Sequence, residues 1–211
     1  MQNTRIGRPI PGAIDVAWLR RRFASAPLAV EPVYGDQDAR PDASRLKAAA
    51  VLLPIFVRPE EPTVLLTRRT AHLRVHSGQI SFPGGRVEAR DASPEATAVR
   101  ETHEEIGLPP ASIELLGRLA DYHTRTGFRV TPVVGLVTPP FDLSLDAHEV
   151  DEAFEVPLSF LLDPANHQRQ RREFQGRQVE YYAIPYRDYC IWGATAGILV
   201  NFYRHLAAGA A

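Results

Sequence analysis

Three glutamates one helical turn apart are the residues of this chain most suited to chemistry. Glu101, Glu104 and Glu105 occupy positions i, i+3 and i+4, so on a helix their carboxylates crowd one side of a single turn. Like charges at this spacing destabilise a bare helix by roughly a few tenths of a kcal/mol per pair. A bound cation would neutralise them, whereas the alternative is a merely exposed acidic face. Oxygen ligands without a cysteine or a matched histidine pair favour Mg²⁺ or Mn²⁺ over zinc.

A glycine turn precedes these glutamates. Gly84 and Gly85 follow Phe82 and Pro83, and their lack of side chains lets the backbone approach a metal or a phosphate closely. Ser93 as N-cap, Pro94 as first residue and Gly107 as C-cap predict the bounds of the glutamate helix. We therefore expect Glu101, Glu104 and Glu105 as metal ligands, with a further oxygen from the carbonyl of Gly84 or Gly85.

A second set of residues upstream of the turn is suited to binding phosphate. Arginine offers a planar fork to phosphate oxygens, and a nearby glycine permits close backbone approach. The alternative for any one of these arginines is a plain surface charge. The predicted substrate-binding residues are Arg69, Arg74, Ser77, Gly78 and Phe82.

Composition limits the class of protein and its partners. A chain of 211 residues that is 45% hydrophobic can bury one full core, and a formal net charge of −1 provides no overall field for nucleic acid or membrane. The single cysteine, Cys190, excludes an internal disulfide framework and suits a reducing compartment; we expect it to be a buried or half-buried thiol. No apolar run reaches membrane-spanning length, and no signal-peptide pattern follows Met1–Arg8. We expect a cytoplasmic protein that binds a small molecule, with no nucleic acid and no membrane as partner.

The chain divides into an N-terminal extension, residues 1–44, and a body, residues 45–211. Within the extension, Ile14, Trp18, Leu19 and Phe23 share one helical face, so we predict one helix that packs on the body. The run Arg20–Arg22 is interpreted as a solvated face rather than a binding site. Whether the extension supports a homodimer or only covers the sheet stays open.

Hydrophobic patterns in the body predict alternating strands and helices. The predicted strands are 48–57, 63–67, 78–82, 113–122, 130–137 and 179–184, the first two forming a hairpin. The predicted helices are 94–106, two short ones at 150–154 and 158–162, and a long one at 190–206, with a solvated turn at Arg169–Arg172. Mixed strands with helices on both sides predict an α/β/α sandwich with a mixed β-sheet.

The stretch around the glutamates resembles the Nudix hydrolase box. That box reads Gly, five residues, Glu, seven residues, then Arg-Glu-apolar-x-Glu-Glu-x-Gly-apolar. The matching residues are Arg100, Glu101, Glu104, Glu105, Gly107 and Leu108. The chain departs from the box at Thr102, where an apolar residue is usual, and at Asp91. Asp91 replaces the first glutamate and is separated from Arg100 by eight residues instead of seven, so the resemblance gives it no role.

The preceding stretch resembles the coenzyme A pyrophosphatase branch of the Nudix superfamily. The branch motif runs Leu-Leu-Thr-x-Arg-Ser, three residues, Arg, three residues, Gly, three residues, Phe-Pro-Gly-Gly. The matching residues are Leu65, Leu66, Thr67, Arg69, Arg74, Gly78 and Phe82–Gly85, with Thr70 in place of the serine. The runs 127–132 and 191–196 also resemble this branch, so the resemblance covers roughly residues 45–200.

The resemblance implies a Mg²⁺- or Mn²⁺-dependent hydrolase that cleaves the diphosphate of coenzyme A or acyl-CoA. It assigns Arg100 to orienting a glutamate, Glu104 and Glu105 to the catalytic metal cluster, and a downstream glutamate, Glu149, to the general base. Glu149 could instead cap a helix N-terminus, and Glu101 could itself be the base. The alternative substrates are ADP-ribose and nucleoside diphosphate sugars. A non-catalytic Nudix-like nucleotide sensor is the alternative from another class.

Overall fold

A computed structural model of the chain describes residues 10, 12, 14–25, 32, 46–71, 78–174 and 176–208. Within these ranges the helices are α1 (Val16–Ala24), α2 (Pro94–Ile106), α3 (Leu158–Leu162) and α4 (Ala194–Ala207). The strands are β1 (Lys47–Phe56), β2 (Thr63–Arg69), β3 (Ile80–Ser81), β4 (Gly84–Arg86), β5 (Ile113–Arg118), β6 (Tyr122–His123), β7 (Phe128–Val137), β8 (Val150–Pro157), β9 (Gln168–Phe174), β10 (Arg177–Tyr186) and β11 (Tyr189–Trp192). Short 3-10 turns lie at Pro110–Ser112 and Pro164–Asn166.

A mixed sheet forms the centre of the molecule. Its strand order is β3-β2-β1-β7-β5, with β4 paired to β1, β6 to β7 and β8 to β2. β1 and β7 run parallel and the other pairs are antiparallel. β9, β10 and β11 form a second, antiparallel sheet in the order β11-β10-β9. The predicted mixed-sheet sandwich and the β1–β2 hairpin are confirmed.

The apolar run of β1 is buried on both faces of the sheet, which explains why it is continuous instead of alternating. Ala50 and Leu52 pack with Ala98 of α2 on one face. Leu53 and Ile55 belong to the main core on the other face, together with residues of α3 and α4. The sheet therefore separates the glutamate helix from the C-terminal helix.

The predicted short helix at 150–154 is wrong, because these residues belong to β8. β8 pairs antiparallel with β2 from Thr63↔Pro157 to Arg69↔Val150. The backbone of β2 offers its free edge to this segment, and hydrogen bonding to that edge decides its conformation over local preference. The predicted helix at 158–162 is confirmed as α3.

The predictions for the C-terminal part also need correction. The helix expected to begin at Cys190 begins at Ala194, since Gly193 has φ +66, a left-handed conformation that ends the strand before it. Cys190 lies in β11 opposite Pro185, and its thiol is exposed instead of buried. Arg169–Arg172, expected as a turn, lies in β9 and pairs with β10, a partner that no local pattern identifies.

Helix α1 contacts the body through its apolar face and through Arg22. Leu19 is fully buried, and Phe23 stacks on Phe202 with ring centroids 6.3 Å apart. Arg22 Nε donates to the carbonyl oxygen of Leu206 at 2.9 Å, so this arginine is a packing contact and the predicted solvated face is wrong for it. The division at 44/45 stays a prediction. In the described ranges no helix is long and apolar enough to span a membrane.

Candidate functional site

Helix α2 is fixed at both ends by the residues that the sequence indicated. Ser93 Oγ accepts a hydrogen bond from the backbone N–H of Ala96 at 3.2 Å, and Gly107 ends the helix with φ +70. Thr97, Ala98, Thr102 and Ile106 face the sheet. Thr102 avoids burying an unpaired hydroxyl by donating to the Ala98 carbonyl at 2.6 Å.

Glu105 is the most buried of the three glutamates, with 5% of its side chain exposed. The backbone N–H of Gly84 donates to its Oε2 at 3.1 Å, and Nη1 of Arg69 lies 3.6 Å from its Oε1. The pKa of Glu105 is raised to about 8, chiefly by burial. The hydrogen bond from Gly84 and the charge of Arg69 oppose this rise, and the carboxylates of Glu149 and Glu101 contribute to it. The charged form of this carboxylate therefore needs more positive charge than these side chains supply.

Glu101 lies directly on the glycine turn. An ideal Cβ built on Gly85 would come within 2.6 Å of Oε1 of Glu101 and still closer to its Cδ and Oε2. Only glycine leaves room for the carboxylate at this point. Burial raises the pKa of Glu101, while its ion pair with Arg100 lowers it. Two partly desolvated carboxylates, Glu101 and Glu105, thus converge on the backbone of Gly84–Gly85.

Glu104 is more exposed than this pair and shares Nη1 of Arg100 with Glu101. It is 49% exposed, and its two oxygens contact Nη2 of Arg90 at 3.3 Å and Nη1 of Arg100 at 2.8 Å. Within the part of the chain that the structure describes, no three His, Cys, Asp or Glu side chains are arranged to hold a metal ion. The residues nonetheless fit a divalent cation. The absence of a side chain at Gly85 leaves room for the Glu101 carboxylate, and Glu105 meets the same turn at Gly84. Carboxylate oxygens are the hard donors that such cations prefer.

Asp91, to which the resemblance to the Nudix box gives no role, also belongs to the site. Its carboxylate is 4% exposed and accepts from Nε and Nη2 of Arg100, both at 2.9 Å. It also accepts from the backbone N–H of Glu88 and from Oγ1 of Thr97. Hydrogen bonds from Arg100 lower the pKa of Asp91 well below its usual range. Since Arg100 Nη1 lies 2.8 Å from Oε1 of Glu101, Asp91 aims the arginine at a site carboxylate.

Replacing Asp91 by asparagine is expected to reduce the free energy of unfolding at pH 7, because Arg100 loses its charged acceptor. A lowered pKa in the folded state means that this contribution is complete above about pH 4, the unfolded carboxyl's range. It declines as the pH falls further. Urea unfolding of both proteins at pH 7, 5 and 3.5 measures the difference. A difference between the two proteins that grows toward pH 3.5 would contradict the assignment.

Arg69 connects Glu105 to the candidate general base. Its Nη1 faces Glu105, and its Nη2 lies 3.7 Å from Oε2 of Glu149. The helix that Glu149 might have capped does not exist, since β8 begins at Val150. The structure thus brings together Glu101, Glu105, Arg69, Glu149 and the Gly84–Gly85 turn.

Phe82, Gly78, Arg74 and Ser77 are the remaining predicted site residues. Phe82 is 3% exposed and packs in the main core, where it anchors the start of the glycine turn. Its role in substrate binding stays a prediction. Gly78 has φ +68 and donates its N–H to the Arg69 carbonyl at 3.1 Å, two residues before β3 begins. Arg74 and Ser77 lie outside the described residues.

Comparison with known protein families identifies the chain. The model of the NUDIX domain matches residues 46–181, a range that contains every site residue described above. The chain belongs to the Nudix hydrolase family. It is therefore a hydrolase that acts on a diphosphate, and enzymes of this family generally use divalent metal ions.

Bacterial relatives align with about three quarters of the length of this Nudix hydrolase. A protein of Enterobacter sp. (strain 638) named "Uncharacterized Nudix hydrolase NudL" is 42% identical over 158 residues, which cover 75% of this chain and 82% of the relative. A protein of the same name from Photorhabdus laumondii is 44% identical over 151 residues, covering 72% and 80%. The NudL protein of Escherichia coli (strain K12) is 41% identical over 153 residues, covering 72% and 79%.

Solved structures share the fold of this Nudix hydrolase. The crystal structure of a Caenorhabditis elegans Ap4A hydrolase binary complex superposes with a TM-score of 0.50 at 20% identity, and covers 76% of this chain and 98% of that one. At this identity the likeness concerns the fold alone.

Proposed function

We propose that this Nudix hydrolase cleaves the diphosphate of coenzyme A or an acyl-CoA, giving 4′-phosphopantetheine and adenosine 3′,5′-bisphosphate. One observation carries the proposal: Arg69, from the stretch that resembles the coenzyme A pyrophosphatase branch, lies between Glu105 and Glu149. The residues of the branch motif and those of the Nudix box thus meet at one place. The NudL relatives are consistent with that branch.

In this proposal Glu101, Glu105 and the Gly85 carbonyl hold Mg²⁺ or Mn²⁺. Glu104 completes the cluster from its position beside Arg100. When bound, the cation supplies neutralisation of the diphosphate and a more acidic water. Arg100, fixed by Asp91, keeps Glu101 turned toward the glycine turn, so the ligand is oriented before substrate arrives.

The other residues bind the substrate and move a proton. Arg69 is proposed to bind a phosphate oxygen. Its guanidinium lies 3.6 and 3.7 Å from the carboxylates of Glu105 and Glu149. Because these distances are beyond a good hydrogen bond, its N–H groups can still donate to a substrate. Glu149, 47% exposed, is open to solvent and is proposed to accept the proton of the attacking water. Arg74 and Ser77 extend the phosphate-binding surface in this proposal.

Two other functions share parts of this argument. ADP-ribose and nucleoside diphosphate sugars contain the same diphosphate, and the carboxylate cluster would serve them equally well, but they leave the branch motif unexplained. A non-catalytic nucleotide sensor would have no need of the intact box glutamates. A cytoplasmic location, a homodimer and the absence of a nucleic acid partner stay predictions.

Hydrolysis of coenzyme A and of ADP-ribose by the wild type, each with Mg²⁺ or Mn²⁺, tests the proposal. We expect kcat/KM for coenzyme A to exceed that for ADP-ribose by at least about 10-fold, a ratio that a few differential contacts provide. Chromatography should show 4′-phosphopantetheine and adenosine 3′,5′-bisphosphate in equal amounts. Chelation of the metal should abolish the reaction.

The possible outcomes separate the three functions. Faster hydrolysis of ADP-ribose would retain the diphosphate chemistry and reject the coenzyme A assignment. Nucleotide binding without hydrolysis of either substrate would favour the sensor. Glu105→Gln, purified in parallel, controls for a contaminating hydrolase.

A further inference from the structure

The segment that carries Glu149 is attached to the glutamate helix. The backbone N–H of Asp146 donates to the carbonyl of Glu105 at 2.9 Å. The N–H groups of Glu149 and Val150 then donate to the carbonyl of Asp146 at 3.0 and 2.8 Å. This turn fixes the position of Glu149 relative to Glu105. The carbonyls of residues 148 and 149 are not bound within the turn and accept from another element.

Thr70 binds both of those carbonyls. Its backbone N–H donates to the carbonyl of Glu149, and its Oγ1 donates to the carbonyl of His148, each at 3.0 Å. Thr70 is 5% exposed, so solvent does not replace these bonds readily. It directly follows Arg69, the residue that contacts Glu149 through its side chain. Thr70 and Arg69 thus hold the backbone and the carboxylate of the same residue.

A bulge in the β2–β8 pairing brings these residues into place. Arg68 pairs with Glu152 while Arg69 pairs with Val150, which leaves Asp151 as an extra residue on β8. Arg68 Nη2 contacts Asp151 at 2.8 Å and Glu152 at 3.1 Å. Bulges redirect the side chains beside them. Beside the bulge, Arg69 contacts Glu105 of α2. Thr70 binds the backbone of Glu149, the residue just before β8.

We propose that Thr70 is a positioning residue that holds Glu149 where the reaction needs it. This inference rests on the proposed function, in which Glu149 is the general base. The hydroxyl is the essential group, because its loss leaves the carbonyl of His148 without that donor and lets the segment relax. Thr70 does not contact the substrate in this proposal and acts only through Glu149.

A double-mutant cycle on the diphosphate that the wild type cleaves tests the proposal. Thr70→Val keeps the shape and removes the hydroxyl, and we expect kcat to fall about 10-fold with KM within about 2-fold, as a small displacement of a catalytic group does. Thr70→Ser should stay within about 2-fold of wild type. Glu149→Gln should lower kcat about 100-fold, the lower range for loss of a general base. In the Glu149→Gln background, Thr70→Val should cost less than about 2-fold, since interacting residues are not additive.

A matched control separates positioning from general packing. Thr195→Val makes the same change at another buried threonine. Its Oγ1 donates to the Ile80 carbonyl of β3 at 2.9 Å, and not to the backbone of residues 148–149. It should lower the melting temperature as Thr70→Val does while leaving kcat within about 2-fold. Equal kcat losses in the two variants would make Thr70 an ordinary packing residue.

The remaining outcomes also decide the question. If Glu149→Gln retains wild-type kcat, the base assignment and the role of Thr70 both fail. If Glu149→Gln loses activity while Thr70→Val does not, the proposed function stands and the Thr70 inference fails alone. A full 10-fold loss from Thr70→Val within the Glu149→Gln background would show that Thr70 acts elsewhere.

Discussion

Replacing Glu105 by glutamine is expected to lower kcat/KM for diphosphate hydrolysis at least about 1,000-fold, because a metal ligand supports several kcal/mol of transition-state stabilisation. Glutamine has the same shape, and its oxygen still accepts from the N–H of Gly84, which donates to Oε2 of Glu105 at 3.1 Å. The fold should therefore persist while the charge that holds the cation is lost. Steady-state kinetics with saturating Mg²⁺ measures the effect.

Metal binding gives this prediction a readout that does not depend on catalysis. A cation that binds only the folded protein raises its melting temperature with increasing concentration, and this rise should be present in the wild type and absent in Glu105→Gln. Glu104→Gln is the matched control, since Glu104 is about half exposed and contacts Arg90 and Arg100. Its loss of activity should be at least about 10-fold smaller than that of Glu105→Gln. Equal losses would mean that the two glutamates serve the cation alike.

Replacing Gly85 by alanine is expected to lower kcat/KM about 100-fold, since displacing a catalytic group by about 1 Å can cost that much. The added Cβ would lie within 2.6 Å of Oε1 of Glu101, so the carboxylate must move away. The atoms that the Cβ meets are the end of a flexible side chain, and the free energy of unfolding should change by less than about 1 kcal/mol. Kinetics combined with urea unfolding measures both quantities.

The neighbouring glycine provides a contrasting control. A Cβ on Gly84 would come within 2.6 Å of the Cα of Val51, and Gly84 has φ +151, so Gly84→Ala should destabilise the fold itself. Combining Gly85→Ala with Glu101→Ala removes the clash, and the double variant should be no less active than Glu101→Ala alone. If Gly85→Ala costs the same whether or not Glu101 is present, the methyl group acts on something other than that carboxylate.

Local signals account for what could be predicted of the glutamate helix. Ser93, Pro94 and Gly107 each act on backbone groups within a few residues, so their effect is readable from the neighbouring sequence. The apolar run of β1 likewise identifies a buried strand by its own composition. The predicted bounds of α2 therefore agree with the observed ones, Pro94–Ile106.

Elements whose conformation depends on distant partners were predicted less well. The sequence predicts a short helix at residues 150–154, whereas these residues belong to β8, which pairs along β2. The sequence predicts a solvated turn at Arg169–Arg172, whereas these residues lie in β9 and pair with β10, where Arg171 contacts Glu180. The sequence predicts Cys190 as a buried or half-buried thiol at the start of a helix, whereas it lies exposed in the strand β11.

The sequence by itself determined the chemistry of this protein: oxygen ligands on one helical turn, a glycine turn before them and arginines upstream, in the order of a Nudix hydrolase. Only the tertiary structure decided how these parts meet. It showed that Asp91 fixes Arg100 despite the inserted residue, that Glu104 is about half exposed and contacts Arg100, and that Arg69 lies beside Glu149. The physical reason is that side-chain type and spacing are local properties, whereas the convergence of carboxylates and guanidinium groups depends on strand register and bulges set by pairing across the chain.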